Sequence, residues 1–322
     1  MNGQINLKKL LNAAISHLSH VVRSTKGSKY PIIISFELWN ECNLTCNFCR
    51  TDDGNILDYN PDKAPTSYIP KGKMPLEMYT SVIDEVKDYI LLAILYNYGE
   101  PYLYKDLFKA IRYATDRGVA TMVSTNGMSL NEVNCQKTVD AGLSFLKVAI
   151  SGVTQNIHER SHRKGNINRV MRNLKTLSEV IQTNRSKIIV VVDYILYRYN
   201  QEEIGAARKF TKKLGFVFNV RIGNPQGLEE EFTGTRKPVL DGCEFPWKSL
   251  TVDWNGDLLA CCEHAIWTGS NRYGKYEIGK TRISEVWNGS AVRDYRTTLS
   301  SLGRKAIAVC ENCSREDIGF KS

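Results

Sequence analysis

The sequence predicts an α/β protein: a full or partial barrel of six βα units with a parallel sheet, followed by a second, smaller domain. Three observations carry this. Short runs rich in β-branched residues alternate with segments of helical periodicity, the pattern of βαβ units and a parallel sheet. That alternation runs from Tyr30 to Ile222 and then gives way to shorter pieces. The nine cysteines are placed unevenly, with three inside residues 42–49, five between 243 and 313, and Cys135 alone.

Residues 5–24 show helical spacing (Leu7, Leu10, Leu11, Ile15, Leu18) interrupted by Lys8, Lys9 and His17. They are predicted as an amphipathic helix whose apolar stripe packs on the main domain, and they lack the continuous apolar stretch of a signal peptide. A membrane-surface or partner-docking role is the rarer fate of such a stripe. Tyr30 to Leu38 reads as a buried strand running straight into the first cysteine group, and residues 51–72 as a loop rich in Asp, Asn, Pro and Gly. Helices are then predicted over Leu76–Ile90, 105–116, 130–141, Asn168–Thr183 and 201–214. Strands are predicted over Leu91–Tyr98, Val119–Thr125, Ser144–Ser151, Lys187–Leu196 and Phe216–Ile222. In such a barrel the active site lies at the C-terminal ends of the strands. Residues 224–242 read as a linker, followed by short strand pieces around 248–261 and 277–279 and a helix near 283–297. The expected organisation is an N-terminal helical extension (1–29), a barrel core (30–225) and a small C-terminal domain (226–322).

Composition narrows the partners. With 42% hydrophobic and 24% charged residues over 322 positions, the chain is a folded globular protein. No run of about 18 apolar residues exists to span a membrane. The net charge of +9 comes from dispersed basic residues, with short clusters such as Arg208-Lys209 and Lys212-Lys213. These read as solvated helix faces, so nucleic acid is not an expected partner. An anionic small substrate, such as a phosphorylated or nucleotide-linked sugar, fits that charge. Cysteines without an export signal argue for a reducing, cytoplasmic setting in which thiols serve metals or catalysis.

The chemistry concentrates in Cys42-x3-Cys46-x2-Cys49, on the loop directly after the first strand. Cysteine is 9 of 322 residues, so chance produces this triple somewhere in the chain with a probability of roughly 0.007. Three thiolates at this spacing can cap three irons of a cubane and leave the fourth open to a cofactor. A tetrahedral zinc site would want a fourth ligand nearby, and no His lies in the local segment.

The motif resembles that of the radical S-adenosylmethionine (SAM) superfamily, and the likeness extends along the barrel. Phe48, just before the third cysteine, matches the aromatic that covers the SAM adenine. Tyr98-Gly99-Glu100-Pro101 resembles the family's GGEP-type motif, which receives the SAM amino group, with Tyr98 replacing its first glycine. Ser124-Thr-Asn126-Gly127 resembles the TNG element, and Ser151 stands where the family contacts the ribose or carboxylate. His158-x4-Arg163-x-Gly165 resembles the segment whose arginine holds the SAM carboxylate. The resemblance implies a SAM-binding [4Fe–4S] cluster on Cys42, Cys46 and Cys49, SAM as co-substrate, and a 5′-deoxyadenosyl radical that abstracts hydrogen from substrate. It also implies a flavodoxin- or ferredoxin-type electron donor.

Cys243, Cys261, Cys310 and Cys313 form the second group. Gly256-x4-Cys261 resembles an element of SPASM-type domains, and four ligands suffice for one auxiliary [4Fe–4S] cluster, as in the shortened twitch domain. A four-cysteine zinc knot is the alternative. Cys262 is left over: a fourth ligand in place of Cys261, a hydrogen donor to a substrate radical, or a small buried hydrophobe. His264 is a candidate substrate base. The single auxiliary set and the basic surface point to a sugar or cyclitol as substrate, oxidised or epimerised. Maturation of a ribosomally made peptide is the second reading.

Overall fold

The computed structural model describes residues 5–50, 52–56, 69–223, 229–231, 243–262, 272–311 and 313. A helix, α1 (Leu7–Val21), precedes six strands that run in chain order across one sheet. These are β1 (Ile33–Phe36), β2 (Leu92–Ile94), β3 (Ala120–Thr125), β4 (Phe145–Ile150), β5 (Ile189–Leu196) and β6 (Val217–Ile222). All five neighbouring pairs are parallel. The connections carry α2 (Leu76–Val86), α3 (Leu107–Asp116), α4 (Glu132–Asp140), the single turn α5 (Gln155–His158), α6 (Ile167–Thr183) and α7 (Ile204–Lys213). Strand and helix agree with the alternation read from the sequence. The helices form because their apolar residues recur on one face, as Val170, Leu174 and Leu177 do on α6, and that face is buried.

The sheet does not close. β6 forms one edge, and beyond β1 the sheet continues through β7 (Ser249–Val252), β8 (Asp257–Leu259) and β9 (Arg272–Lys275). β7 pairs parallel to β1, with Ile34 opposite Leu250 and Phe36 opposite Val252; β8 and β9 follow antiparallel. The molecule is thus a partial barrel whose C-terminal strands extend the barrel's own sheet. All four residues of β7 are buried, as expected for a strand covered on both faces.

Two C-terminal details differ from the sequence reading. The strand expected at 277–279 lies instead at 272–275. Glu277 to Lys280 is a turn closed by the Lys280 N–H on the Glu277 carbonyl (3.1 Å), with Gly279 at φ +75°. The helix expected over 283–297 is two helices, α9 (Ile283–Trp287) and α10 (Ser290–Leu302), separated at Asn288-Gly289. The short α8 (Phe245–Lys248) precedes β7, and α11 (Ala308–Glu311) carries Cys310.

The sheet has two unlike faces. Ile34, Val123, Leu146, Val148 and Val192 point into the main core beneath the helices. Their neighbours Ile33, Leu92, Ile94, Ala120, Met122 and Phe145 form a second apolar cluster on the concave face. Strand register brings these into a continuous row, Ile33 beside Leu92 and Met122 beside Phe145.

α1 corrects an expectation. It lies across the N-terminal ends of the strands, and the face it buries is polar: Lys9, Asn12, Ser16 and Ser19. Lys9 Nζ donates to the Gly118 carbonyl (2.5 Å), Asn12 Nδ2 to the Tyr30 carbonyl (3.0 Å) and Ser16 Oγ to the Trp247 carbonyl (2.7 Å). The apolar stripe expected to pack inward faces outward, with Leu7 70% and Leu18 61% exposed. The reason is local: strand-leading loops present backbone carbonyls, and these need donors rather than methyl groups. Among the described residues no helix is long and apolar enough to cross a membrane.

Candidate active site

The cysteine loop leaves the C-terminal end of β1. The N–H groups of Cys49 and Arg50 both reach the Cys46 carbonyl (3.0 and 2.9 Å), so Cys46 and Cys49 share one turn. The Leu44 N–H points at Cys42 Sγ (3.5 Å), and Asn126 Nδ2 approaches the same sulfur at 3.8 Å while donating to Asn43 Oδ1 at 2.8 Å. Burial pushes all three thiols up, Cys46 well above its ordinary value and Cys49 to about 11. A thiolate in such surroundings needs a metal to hold it. Three cysteines on one loop, N–H donors aimed at sulfur and the buried Arg50 cation suit a thiolate-ligated cluster.

Two residues outside the sequence-derived set build the frame. Arg50 Nη2 donates to the carbonyls of Asn40 (2.6 Å) and Tyr98 (2.8 Å), and Nη1 to that of Gly54 (2.8 Å). It thereby ties the cysteine loop to the loop after β2. Glu37 accepts the N–H groups of Tyr98 (2.6 Å) and Gly99 (3.4 Å). The Glu100 N–H adds a bond to the Glu41 carbonyl (2.8 Å). A Cβ on Gly99 would stand 1.5 Å from the Trp39 carbonyl oxygen, so no side chain fits where these two loops meet.

The remaining sequence-derived residues separate into two groups. Asn126, Phe48 and Arg163 lie beside the cysteine loop. The Phe48 ring meets His162 edge-on at 6.2 Å. The Arg163 carbonyl accepts the Thr45 N–H (3.2 Å) and its guanidinium pairs with Asp52. Glu100 and Ser151 instead turn inward. The buried Glu100 carboxylate accepts from Thr125 Oγ1 (2.7 Å), the Asn126 N–H (3.0 Å) and the Tyr102 N–H (3.2 Å). It holds the Asn126 backbone rather than offering its own oxygens. Ser151 is fully buried, its hydroxyl engaged with Ser161 Oγ (2.5 Å) and His162 Nδ1 (2.6 Å). Ser151 stands just after β4, at the strand end where the sequence placed it, with its hydroxyl bonded within the protein. His158 stacks on His162 at 4.6 Å. Burial lowers both, His158 to about 4. A Cβ on Gly165 would press on the His162 carbonyl at 2.7 Å.

The concave face next to this site carries a charged cluster absent from the sequence reading. Asp193 on β5 accepts from Asn219 Nδ2 and Arg221 Nε of β6, each at 2.6 Å, and pairs with Lys147 Nζ of β4 at 3.6 Å. Burial opposes the Asp193 charge, but Arg221 and then Lys147 outweigh it and hold this carboxyl below its ordinary value. Period-two alternation on each strand could have placed these residues on one face; nothing in the sequence paired them across strands.

At the other end of the sheet, Cys243, Cys261, Cys310 and Cys313 line a single small cavity with Phe245, Val309 and Arg304. The Cys313 N–H bonds the Cys310 carbonyl (3.1 Å) and the Tyr295 hydroxyl meets Cys310 Sγ (3.0 Å). Burial pushes Cys243 up to about 12. Four cysteines around one cavity are the donor set that an all-cysteine metal site uses. The Tyr98 hydroxyl donates to the Cys262 carbonyl (3.3 Å), linking the loop after β2 to the second cysteine region. His264 lies outside the described residues.

Comparison with known proteins accords with this geometry. The model of the radical SAM superfamily matches residues 36–211, and that of an iron–sulfur cluster-binding domain, SPASM, matches residues 243–314. Among curated relatives, the AdoMet-dependent heme synthase of Methanosarcina barkeri is 28% identical over 203 residues, 62% of this chain and 53% of that protein. The chain thus spans about half the length of that relative. Among solved structures, BtrN in complex with AdoMet and 2-DOIA aligns with a TM-score of 0.56 at 18% identity, covering 88% of this chain and 93% of that one. Streptococcus suis SuiB bound to precursor peptide SuiA aligns at 0.62 and 14%, covering 88% and 70%. At these identities the structural likenesses show the fold.

Proposed function

The chain belongs to the radical SAM superfamily, and on that premise we propose that it is an enzyme modifying a sugar or cyclitol, by oxidising an alcohol or inverting a stereocentre. SAM and the reduced [4Fe–4S] cluster together supply a 5′-deoxyadenosyl radical able to take hydrogen from an unactivated C–H bond. Cys42, Cys46 and Cys49 would hold that cluster, and the loops of Phe48, Tyr98–Pro101, Asn126 and Arg163 would surround SAM. Arg50 and Glu37 lock the two loops together, so the site is preorganised before any ligand arrives.

The observation that carries the substrate class is the concave face. Its floor is apolar, and its wall offers an acceptor at Asp193 and donors at Lys147, Asn219 and Arg221. Mixed donors and acceptors above an apolar floor suit a polyol, and the net positive wall suits one bearing an anionic group. Cys243, Cys261, Cys310 and Cys313 would hold an auxiliary cluster that accepts the substrate electron in an oxidation. In an epimerisation, Cys262 would return a hydrogen atom instead. A flavodoxin- or ferredoxin-type protein would supply the initiating electron.

Anaerobic turnover in heavy water with candidate sugars tests this reading. A ketone formed in step with SAM consumption supports a dehydrogenase; solvent deuterium in an inverted product supports an epimerase using Cys262. Coupling to a peptide and to no sugar would overturn the substrate class. Arg221→Ala is expected to raise KM about tenfold, the value of a charge-assisted hydrogen bond, while substrate-free 5′-deoxyadenosine formation persists. Cys243→Ala with Cys310→Ala is expected to lower iron from about eight to about four per chain.

A further inference from the structure

We propose that the outward face of α1 is a docking surface for an anionic lipid bilayer, which it meets lying flat with the active site turned away. On α1, Leu7, Leu10, Leu11, Ile15 and Leu18 form one outward arc, each 50 to 70% exposed, continued by Val22 just beyond the helix at 62%. The helix cannot roll to hide them. Its opposite face is fixed by the Lys9, Asn12 and Ser16 bonds to backbone carbonyls at the bases of three strands. A contiguous aliphatic arc of this kind on a folded protein marks an interaction surface.

Charge selects the occupant. Lys8, paired with Asp88, flanks the arc, and Arg23, Lys26 and Lys29 follow it directly, all exposed. The same end of the barrel carries the exposed Arg185 and Lys187 before β5 and Lys212 and Lys213 before β6. The carboxylates there are largely matched: Asp88 by Lys8, Asp84 by Lys87 and Arg117, Asp116 by Arg112 and Glu244 by Lys248. Asp140, bonded to Gln136, and Glu85, which accepts the Ile283 and Ser284 N–H groups, have no ion pair among the described residues. An arc of leucine, isoleucine and valine bordered by lysine and arginine suits an interfacial helix. Protein-binding hot spots favour Trp, Tyr and Arg at their centre instead. Because α1 caps the N-terminal strand ends, docking leaves the cysteine loop, at the C-terminal ends, facing water and its soluble substrate.

Co-sedimentation of the full chain with phosphatidylglycerol–phosphatidylcholine vesicles tests the proposal, with pure phosphatidylcholine vesicles as control. The protein is expected to bind the anionic vesicles, more weakly as salt rises. Leu11→Asp with Leu18→Asp is expected to weaken binding at least tenfold, and Lys26→Glu with Lys187→Glu several-fold. All four side chains are exposed, so circular dichroism and SAM cleavage should be unchanged in both variants. Absence of binding to anionic vesicles would overturn the proposal, as would binding that neither variant weakens. Salt-insensitive self-association abolished by the aspartates, without vesicle binding, would assign the face to a second copy of the chain.

Discussion

At the scale of single residues, the junction of the two site loops is the most constrained point. A methyl group on Gly99 would collide with backbone, the Trp39 carbonyl at 1.5 Å and Asn40 Cα at 2.9 Å, and no rotamer change relieves backbone. Gly99→Ala is therefore expected to cost more than about 3 kcal/mol, beyond ordinary overpacking, and to lower both Tm and the iron bound at the first site. Glu37, in the same junction, gives a pH signature. Burial pushes its carboxyl up to about 8 against the favourable Tyr98 N–H, and nearby Asp253 adds to the rise. As pH rises, the unfolded chain gives up this proton first, near the ordinary value of 4.5. Stability from this group is thus complete below that pH and is lost progressively up to about pH 8, where the folded carboxyl also ionises. Thermal unfolding followed from about pH 5 to pH 8 should show this decline, amounting to a few kcal/mol. Glu37→Gln, permanently neutral, should flatten it; an unchanged slope in that variant would assign the decline to another group.

At the scale of elements, the strand ends are pinned by buried side chains rather than by the strands themselves. Asn200, wholly buried, donates from Nδ2 to the carbonyls of Ser151 and Ile195 and accepts the Tyr197 N–H, each at 2.9 Å. It holds the ends of β4 and β5 in register beside the site. Asn200→Ala removes all three of these buried bonds, an expected loss of about 2–4 kcal/mol seen as a Tm several degrees lower. Asn200→Asp, which keeps the acceptor but replaces both donors with charge, should fare no better. Periodicity made the elements themselves legible, because burying one helix face or alternate strand positions is what writes the pattern. Periodicity is silent on which partner a face meets. For α1 it therefore identified the helix and misassigned its buried side, since backbone carbonyls at the strand bases outbid the core. The cysteine spacings were legible because metal ligation needs several ligands close in sequence. The roles of Arg50, Glu37 and the Asp193 cluster were not, because they depend on contacts between loops and strands far apart in the chain.

At the scale of the whole molecule, the break in pattern after Ile222 marks a change of composition, while the sheet runs on through it. β7 lies between β1 and β8, and Trp247, Leu250 and Val252 are buried in the same core as Ile34, Phe36 and Tyr79. Trp247 also accepts the Ser16 hydroxyl at its carbonyl, so α1, the barrel and the C-terminal strands meet at one residue. Removing the chain beyond Gly223 would strip β1 of its four-residue parallel partner and turn this buried central strand into an unpaired hydrophobic edge. Such a truncation is expected to aggregate rather than yield a separable barrel. The full chain should unfold in one cooperative step, with tryptophan fluorescence and the visible absorbance of the bound clusters lost together. Two resolved transitions, or a soluble truncated barrel that still cleaves SAM, would show that the C-terminal strands fold as an independent unit despite sharing the sheet.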